Sequence, residues 1–144
     1  MNKLPLLLVD DDPTFASILG DRLSNSYAVT LCHDFESARR EVQSTRYPII
    51  LLDVKLGTQE KTGIDLLSLI KKSDPDSHVV MVSGLDDSQT MMQTMHLGAS
   101  DFLSKSNDWQ QIVERVDLIA EAIRYRNENR RLRCIIGEAQ AGGE

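Results

Sequence analysis

The sequence predicts a doubly wound α/β domain: a five-stranded parallel sheet with helices on both faces, and a last helix extended past the body. Three observations carry this. Short apolar runs alternate with amphipathic stretches along the chain, as in β-α units that pair in parallel and cover both faces of the sheet. Right-handed crossovers then wind the sheet in both directions. Four of the apolar runs lead directly into polar or charged residues, and ligands of such folds bind beyond the carboxyl ends of the strands. The final helical pattern begins near Asn107 or Asp108 and still recurs at Ile136.

Each element follows from local chemistry. Leu6, Leu7, Leu8 and Val9 read as a buried strand. Asp12 caps the helix after it and Pro13 suits the first turn. Phe15, Ile18, Leu19 and Leu23 then share one helical face. Residues 28–31 form a second short strand, and Asp34 caps a second helix with Ala38 and Val42 inward. Ile49, Ile50, Leu51 and Leu52 are the most apolar strand, ending at Asp53. A polar loop over residues 57–62 leads to a third helix with Ile64, Leu67 and Ile70 inward. Lys71 and Lys72 suit its C-terminal dipole end. Val79, Val80, Met81 and Val82 form a fourth strand that ends at Ser83. Asp86 or Asp87 caps a fourth helix that carries Met91, Met92, Met95 and Leu97, the three methionines read as its core and edge. Gly98 closes that helix. Asp101, Phe102 and Leu103 make a brief fifth strand ending near Lys105, and Trp109 is read as the anchor of the last helix.

Composition bounds the rest. A chain of 144 residues holds one domain plus an extension. A domain of that size buries roughly 68–70% of its unfolded surface and needs no disulfide or metal staple. Cys32 and Cys134 form no CxxC pair, which fits a reducing cytoplasm and argues against zinc or a disulfide framework. The apolar start meets three aspartates too soon for a signal peptide, and no apolar run has the length of a membrane span. A formal net charge of -6 disfavours direct nucleic-acid binding by the body. His33, His78 and His96 are scattered and none is read as a ligand.

The residues at the strand ends form a chemical set: Asp10 and Asp11, Asp53, Ser83 and Lys105. Clustered carboxylates repel one another and gain by binding a hard cation, and Mg²⁺ suits carboxylates, water and a phosphate oxygen. A carboxylate can also act as a nucleophile and form an aspartyl phosphate. The negative phosphoryl group needs Mg²⁺ and a cation such as Lys105. The Ser83 hydroxyl can donate to a phosphoryl oxygen. The set is complete for accepting a phosphoryl group.

Four stretches, Leu7-Leu8-Val9-Asp10-Asp11-Asp12-Pro13, Ile50-Leu51-Leu52-Asp53, Val80-Met81-Val82-Ser83-Gly84 and Gly98-Ala99-Ser100-Asp101-Phe102-Leu103-Ser104-Lys105, resemble the landmarks of bacterial two-component receiver domains. The resemblance covers roughly residues 4–122 and implies a flavodoxin-like fold. It implies that Asp53 accepts the phosphoryl group, that Asp11 ligates Mg²⁺ directly and that Asp10 assists. Asp53 and the backbone carbonyl of Lys55 complete the protein ligands. Lys105 pairs with the phosphoryl group, Ser83 moves toward it, and Phe102 turns inward when it does. The implied partner is a sensor histidine kinase, and the domain catalyses its own phosphorylation and the hydrolysis back.

Three departures stand out. Ser106 follows Lys105 where the family usually has a cis-proline; a non-proline cis bond costs about 2.5–4 kcal/mol, which predicts another backbone path for Lys105. Gly57 stands where proline is common, in a loop about two residues longer than usual before Gly63. Lys55 puts a cation near the metal, to assist the phosphate or to compete with Mg²⁺.

On this reading residues 1–123 are the receiver, 124–137 a helical linker and 138–144 a flexible end. Leu118, Ala122, Tyr125, Asn129, Leu132 and Ile136 recur at alternating four and three spacing, a heptad seam for a homodimer through the last helix and the adjoining face. Arg124, Arg126, Arg130, Arg131 and Arg133 make the stretch basic. Residues 127–138 also resemble the linker that enters the ATPase domain of enhancer-binding, alternative sigma factor dependent transcription activators. That implies a transcriptional output domain regulated by this one. Two other functions compete. Asp10-Asp11-Asp12-Pro13-Thr14 resembles the DxDxT signature of haloacid-dehalogenase-type phosphatases, with Asp10 as nucleophile and Asp12 as acid. The chain could also be a receiver-like dimerisation module independent of phosphorylation.

Overall fold

A computed structural model describes residues 2–142 except 57–60 and 85–87, with the backbone alone for 138–142. Five strands and five helices alternate: β1 (Leu4–Val9), α1 (Pro13–Leu23), β2 (Tyr27–Cys32), α2 (Phe35–Ser44), β3 (Ile49–Asp53), α3 (Gly63–Ser73), β4 (His78–Ser83), α4 (Ser88–His96), β5 (Asp101–Ser104) and α5 (Trp109–Gly142). The strands lie in the order β2-β1-β3-β4-β5, and every pairing is parallel. The expected doubly wound sheet is therefore present, with its reversal of strand order between β1 and β3.

Because successive strand residues face opposite sides, the sheet divides its side chains between two cores. Leu7, Val9, Ile50, Leu52, Val79 and Met81 pack with Phe35 and Ala38 of α2 and Leu66, Leu67 and Ile70 of α3. Leu6, Leu8, Ile49, Leu51, Val80 and Val82 pack with Ala16, Leu19 and Leu23 of α1 and Ile112, Val116 and Ala120 of α5. Covered on both faces, β3 is buried at all five positions, which is why it reads as a continuous apolar run.

The expected caps form where they are described. The Asp12 carboxylate accepts from the Thr14 and Phe15 amides, and Asp34 accepts from Ser37 at 2.7 Å. Thr62 and Asp65 make a reciprocal capping box at α3. Gly98 adopts a positive φ of 103°, open to glycine and costly for a side chain. The expected cap at Asp86 or Asp87, and the Gly57 departure, lie outside the described residues.

Two readings of helix faces are corrected. Ile18 is 40% exposed, while α1 buries Ala16, Leu19, Gly20 and Leu23. Met91, Met92, Met95 and Leu97 are exposed, and α4 buries only Thr94. The reason is polar satisfaction: the Thr94 hydroxyl donates to the Met91 carbonyl within its own helix, so this threonine enters the interior without an orphaned group.

The last helix has two halves. Ile112, Val116, Ala120 and Ile123 form its buried stripe. Beyond Ile123 no described side chain is buried; Tyr125 is 72% exposed and Leu132, Ile135 and Ile136 are exposed with it. The backbone stays helical to Gly142, past residue 137 where the sequence reading ended the helix, because Glu138, Ala139, Gln140 and Ala141 are good helix formers. No helix among the described residues is long and apolar enough to cross a membrane.

Gly63 is the tightest point of the scaffold. A Cβ there would stand 1.9 Å from the Asp53 carbonyl oxygen and 3.1 Å from the Val54 Cα, and the Gly63 amide donates to the Val54 carbonyl at 2.8 Å. Gly137 has nothing within 4 Å of such a Cβ. Urea titration should therefore separate the two: Gly63→Ala is expected to lose about 2–3 kcal/mol by overpacking, and Gly137→Ala to gain or hold within about 1 kcal/mol.

Candidate functional site

The polar residues that follow the strands converge at one edge of the sheet. Val9 and Leu52 are register partners on neighbouring strands, so Asp10, one step past β1, comes beside Asp53, the last residue of β3. This is where the strand order reverses. The Asp10 amide donates to the Cys32 carbonyl at 3.0 Å, and the Lys105 amide to the Ser83 carbonyl at 2.8 Å. These two backbone bonds hold the ends of β1, β2, β4 and β5 in place.

Lys105 reaches across to both buried acids. Its Nζ is 2.8 Å from Asp10 Oδ2 and 3.2 Å from Asp53 Oδ2. It donates to Asp10 Oδ1 at 3.1 Å. Asp10 and Asp53 are only 1% and 5% exposed. Asp53 Oδ1 accepts from the Lys55 amide at 3.3 Å, and the Lys55 side chain points out to solvent. Asp10 Oδ2, fully buried, has the ion pair with Lys105 but no well-directed hydrogen bond.

These contacts set the electrostatics. Burial, then the neighbouring Asp10 charge, raises the Asp53 carboxyl to about 7, with Lys105 opposing. Burial alone would lower Lys105, but Asp10 and Asp53 hold it above its ordinary value. One oxygen each of Asp10, Asp11 and Asp53 lie within 4.8 Å of one another. Among the described residues three carboxylates gather near the Lys105 ammonium, and Asp10 Oδ2 lacks a directed donor. A small, hard divalent cation fits such a set of oxygen donors.

The remaining expected residues fall as follows. Ser83 ends β4 beside this edge and is 1% exposed. Phe102, in the middle of β5, is half-buried against the core on the α2 and α3 side. The Lys105–Ser106 bond is trans, as is every described peptide bond. Beside it the Ser104 and Ser106 hydroxyls lie 2.6 Å apart, and the Ser106 amide donates to Ser104 Oγ at 3.1 Å. Asp12 is occupied as the α1 cap, which removes the acid that the phosphatase reading needs.

Sequence reasoning missed two neighbours of the site. Phe15, assigned to the core, lays its ring 4.6 Å from the Lys105 ammonium. Gly63, noted only as a loop landmark, makes room for the Asp53 carbonyl. A cleft of about 220 Å³ bordered by Arg46, Asp74, His78 and Arg126 shares no residue with the cluster.

Residues 6–117 match the response regulator receiver domain. The chain is 30% identical over 129 residues to the nitrogen assimilation regulatory protein NtrX of Azorhizobium caulinodans, which covers 89% of this chain and 28% of that protein. It is 29% identical over 128 residues to the response regulator protein PilR of Pseudomonas aeruginosa, covering 88% and 28%. It thus spans less than a third of the length of these relatives. Among solved structures, NtrX from Brucella abortus is similar with a TM-score of 0.80 at 26% identity, over 90% of this chain and 30% of that one. A response regulator protein from Burkholderia pseudomallei with a phosphorylated aspartic acid, calcium ion and citrate shares the fold, with a TM-score of 0.73 at 23% identity over 87% and 73%. With the family match running from β1 into α5, the chain belongs to the response regulator receiver domain family.

Proposed function

We propose that this domain is a phosphoryl-accepting switch in which Asp53 takes the phosphoryl group from a sensor histidine kinase, in the cytoplasm. One observation carries the reading: a buried carboxylate, Asp53, has Lys105 on one oxygen and two further carboxylates close enough to share a cation. Asp10, Asp11 and Asp53, with the Lys55 backbone carbonyl, would hold Mg²⁺. Bound there, the ion supplies positive charge that neutralises the oxygens of the transferring group.

The rest of the work falls to the chain's own side chains. Asp53, once deprotonated, attacks phosphorus through a carboxylate oxygen. A new O–P bond forms while the P–N bond of a phosphohistidine breaks. Imidazole leaves with the electron pair and takes up a proton. An acyl phosphate serves in the same way, its P–O bond breaking to release a carboxylate. Lys105 exchanges its contact with Asp53 for one with a phosphoryl oxygen, and the Ser83 hydroxyl donates to another. Phe102 follows inward, and the face of α4, β5 and α5 changes. Met91, Met92 and Met95 of α4 are exposed. The α5 extension then passes the change to a homodimer seam at Leu118, Tyr125, Leu132 and Ile136 and to a transcriptional output domain.

Intact mass after incubation with acetyl phosphate and Mg²⁺ tests the acceptor. One phosphoryl is expected on the wild type and none on Asp53→Asn or without metal; an adduct retained in Asp53→Asn would refute the assignment. Lys105→Ala is expected to slow adduct formation by about 10²-fold, the usual cost of one lost donor to a developing charge.

Proton linkage gives a second check. Asp53 has an ordinary value of 3.8 and a folded value of about 7, so the fold binds the extra proton between the two. The stability it confers is present below the lower value and is lost as pH rises through the upper one. In metal-free thermal melts, Asp53→Asn is expected to exceed the wild type by a few degrees at roughly pH 8 and by little at roughly pH 5. Equal melts at both values would count against the buried charge. For the seam, Leu132→Glu is expected to weaken self-association about tenfold or more in sedimentation equilibrium, and an unchanged dimer constant would remove that helix from the interface.

A further inference from the structure

Lys105 directs N–H groups to Asp10 and Asp53, and its ammonium lies 4.6 Å from the centre of the Phe15 ring. At that range the negative face of an aromatic ring attracts a cation by about 0.5–1 kcal/mol, and more where water is kept away. Water is largely kept away here, since the Lys105 side chain is 20% exposed. Phe15 in turn packs on Trp109, with ring centres 5.1 Å apart and planes tilted by 39°. The Arg22 guanidinium lies 5.8 Å from the Trp109 ring centre. Phe15 and Arg22 stand seven residues apart on α1 and so share a face. Trp109 is the first residue of α5. A continuous set of contacts therefore joins Asp53, through one ammonium and two rings, to the start of the longest helix.

We propose that Phe15 is a positioning residue for Lys105, and that the Phe15–Trp109 pair carries the state of the acidic site to the first turn of α5. The trigger rests on the phosphoryl-accepting reading above; the positioning holds in the unmodified protein. The ring face lies against the ammonium and leaves it the two carboxylates as its strong partners. A phosphoryl group on Asp53 places the negative charge further out. The ammonium follows it away from Phe15, and the ring is released to shift against Trp109. Leucine would fill similar space but has no quadrupole to hold the cation.

Trp109 is the single tryptophan of the chain, so its emission reads this contact directly. In the metal-free protein Lys105→Ala is expected to change Trp109 emission, and to change it much less in a Phe15→Leu background. Loading with Mg²⁺ and beryllium fluoride should change emission in wild type and in Phe15→Tyr, and by less than half as much in Phe15→Leu. Adduct formation from acetyl phosphate should slow roughly 2- to 10-fold in Phe15→Leu, in line with the loss of one cation–ring contact, and recover in Phe15→Tyr. A loss of packing alone would not divide the three variants in this way. Phe15→Met serves if the leucine variant melts early. Emission indifferent to Lys105→Ala in both backgrounds overturns the positioning. Full loading changes in Phe15→Leu overturn the coupling. No adduct on the wild type overturns the proposed function and the trigger together, while the metal-free comparison still decides the positioning.

Discussion

The sharing of one ammonium between two buried carboxylates is the constraint on which the site depends. Asp10 and Asp53 end neighbouring strands, and each would be costly to bury alone. Lys105, arriving after β5, puts its ammonium against both carboxylates. The compensation is incomplete: burial and Asp10 still raise Asp53 to about 7. An acid held this way has a strong use for added positive charge. The site is thus strained in the electrostatic sense before any ligand arrives, and its relief is coupled to whatever moves Lys105.

The scaffold keeps that arrangement rigid by ordinary packing. β3 is buried along its whole length, so Asp53 is carried on a strand held by core contacts on both faces. Backbone bonds from Asp10 to Cys32 and from Lys105 to Ser83 tie the neighbouring strand ends together. Gly63 lets α3 start against the Asp53 carbonyl, where a side chain would collide with backbone. Elements far apart in sequence are thereby held at contact distances without any disulfide; Cys32 is buried and Cys134 exposed, and both are free.

The opposite logic governs α5. Its first half is bound to the sheet by Ile112, Val116, Ala120 and Ile123. Its second half carries apolar and basic side chains into solvent, and none of those described beyond Ile123 is buried. A helix of 34 residues extends about 51 Å, so its far end stands well away from the sheet. Trp109 sits at the start of that helix.

Period and position made much of this legible in the sequence. Apolar runs bounded by Asp10, Asp53, Ser83 and Lys105 define strands and their carboxyl ends, because a strand buried on both faces must be continuously apolar and a ligand edge must be polar. Caps at Asp12 and Asp34 were readable for the same local reason. What only the tertiary structure decided are matters of contact between distant segments. α4 turned Thr94 inward and its methionines outward, which periodicity could not tell because a threonine that satisfies its own hydroxyl is as buriable as an apolar residue. Phe15 read as one more apolar residue on a helical face, since nothing local to α1 records that a lysine ninety residues away ends on its ring. Sequence determined which groups stand at the edge of the sheet; folding decided which of them touch, because distances between distant segments are set by packing and not by spacing along the chain.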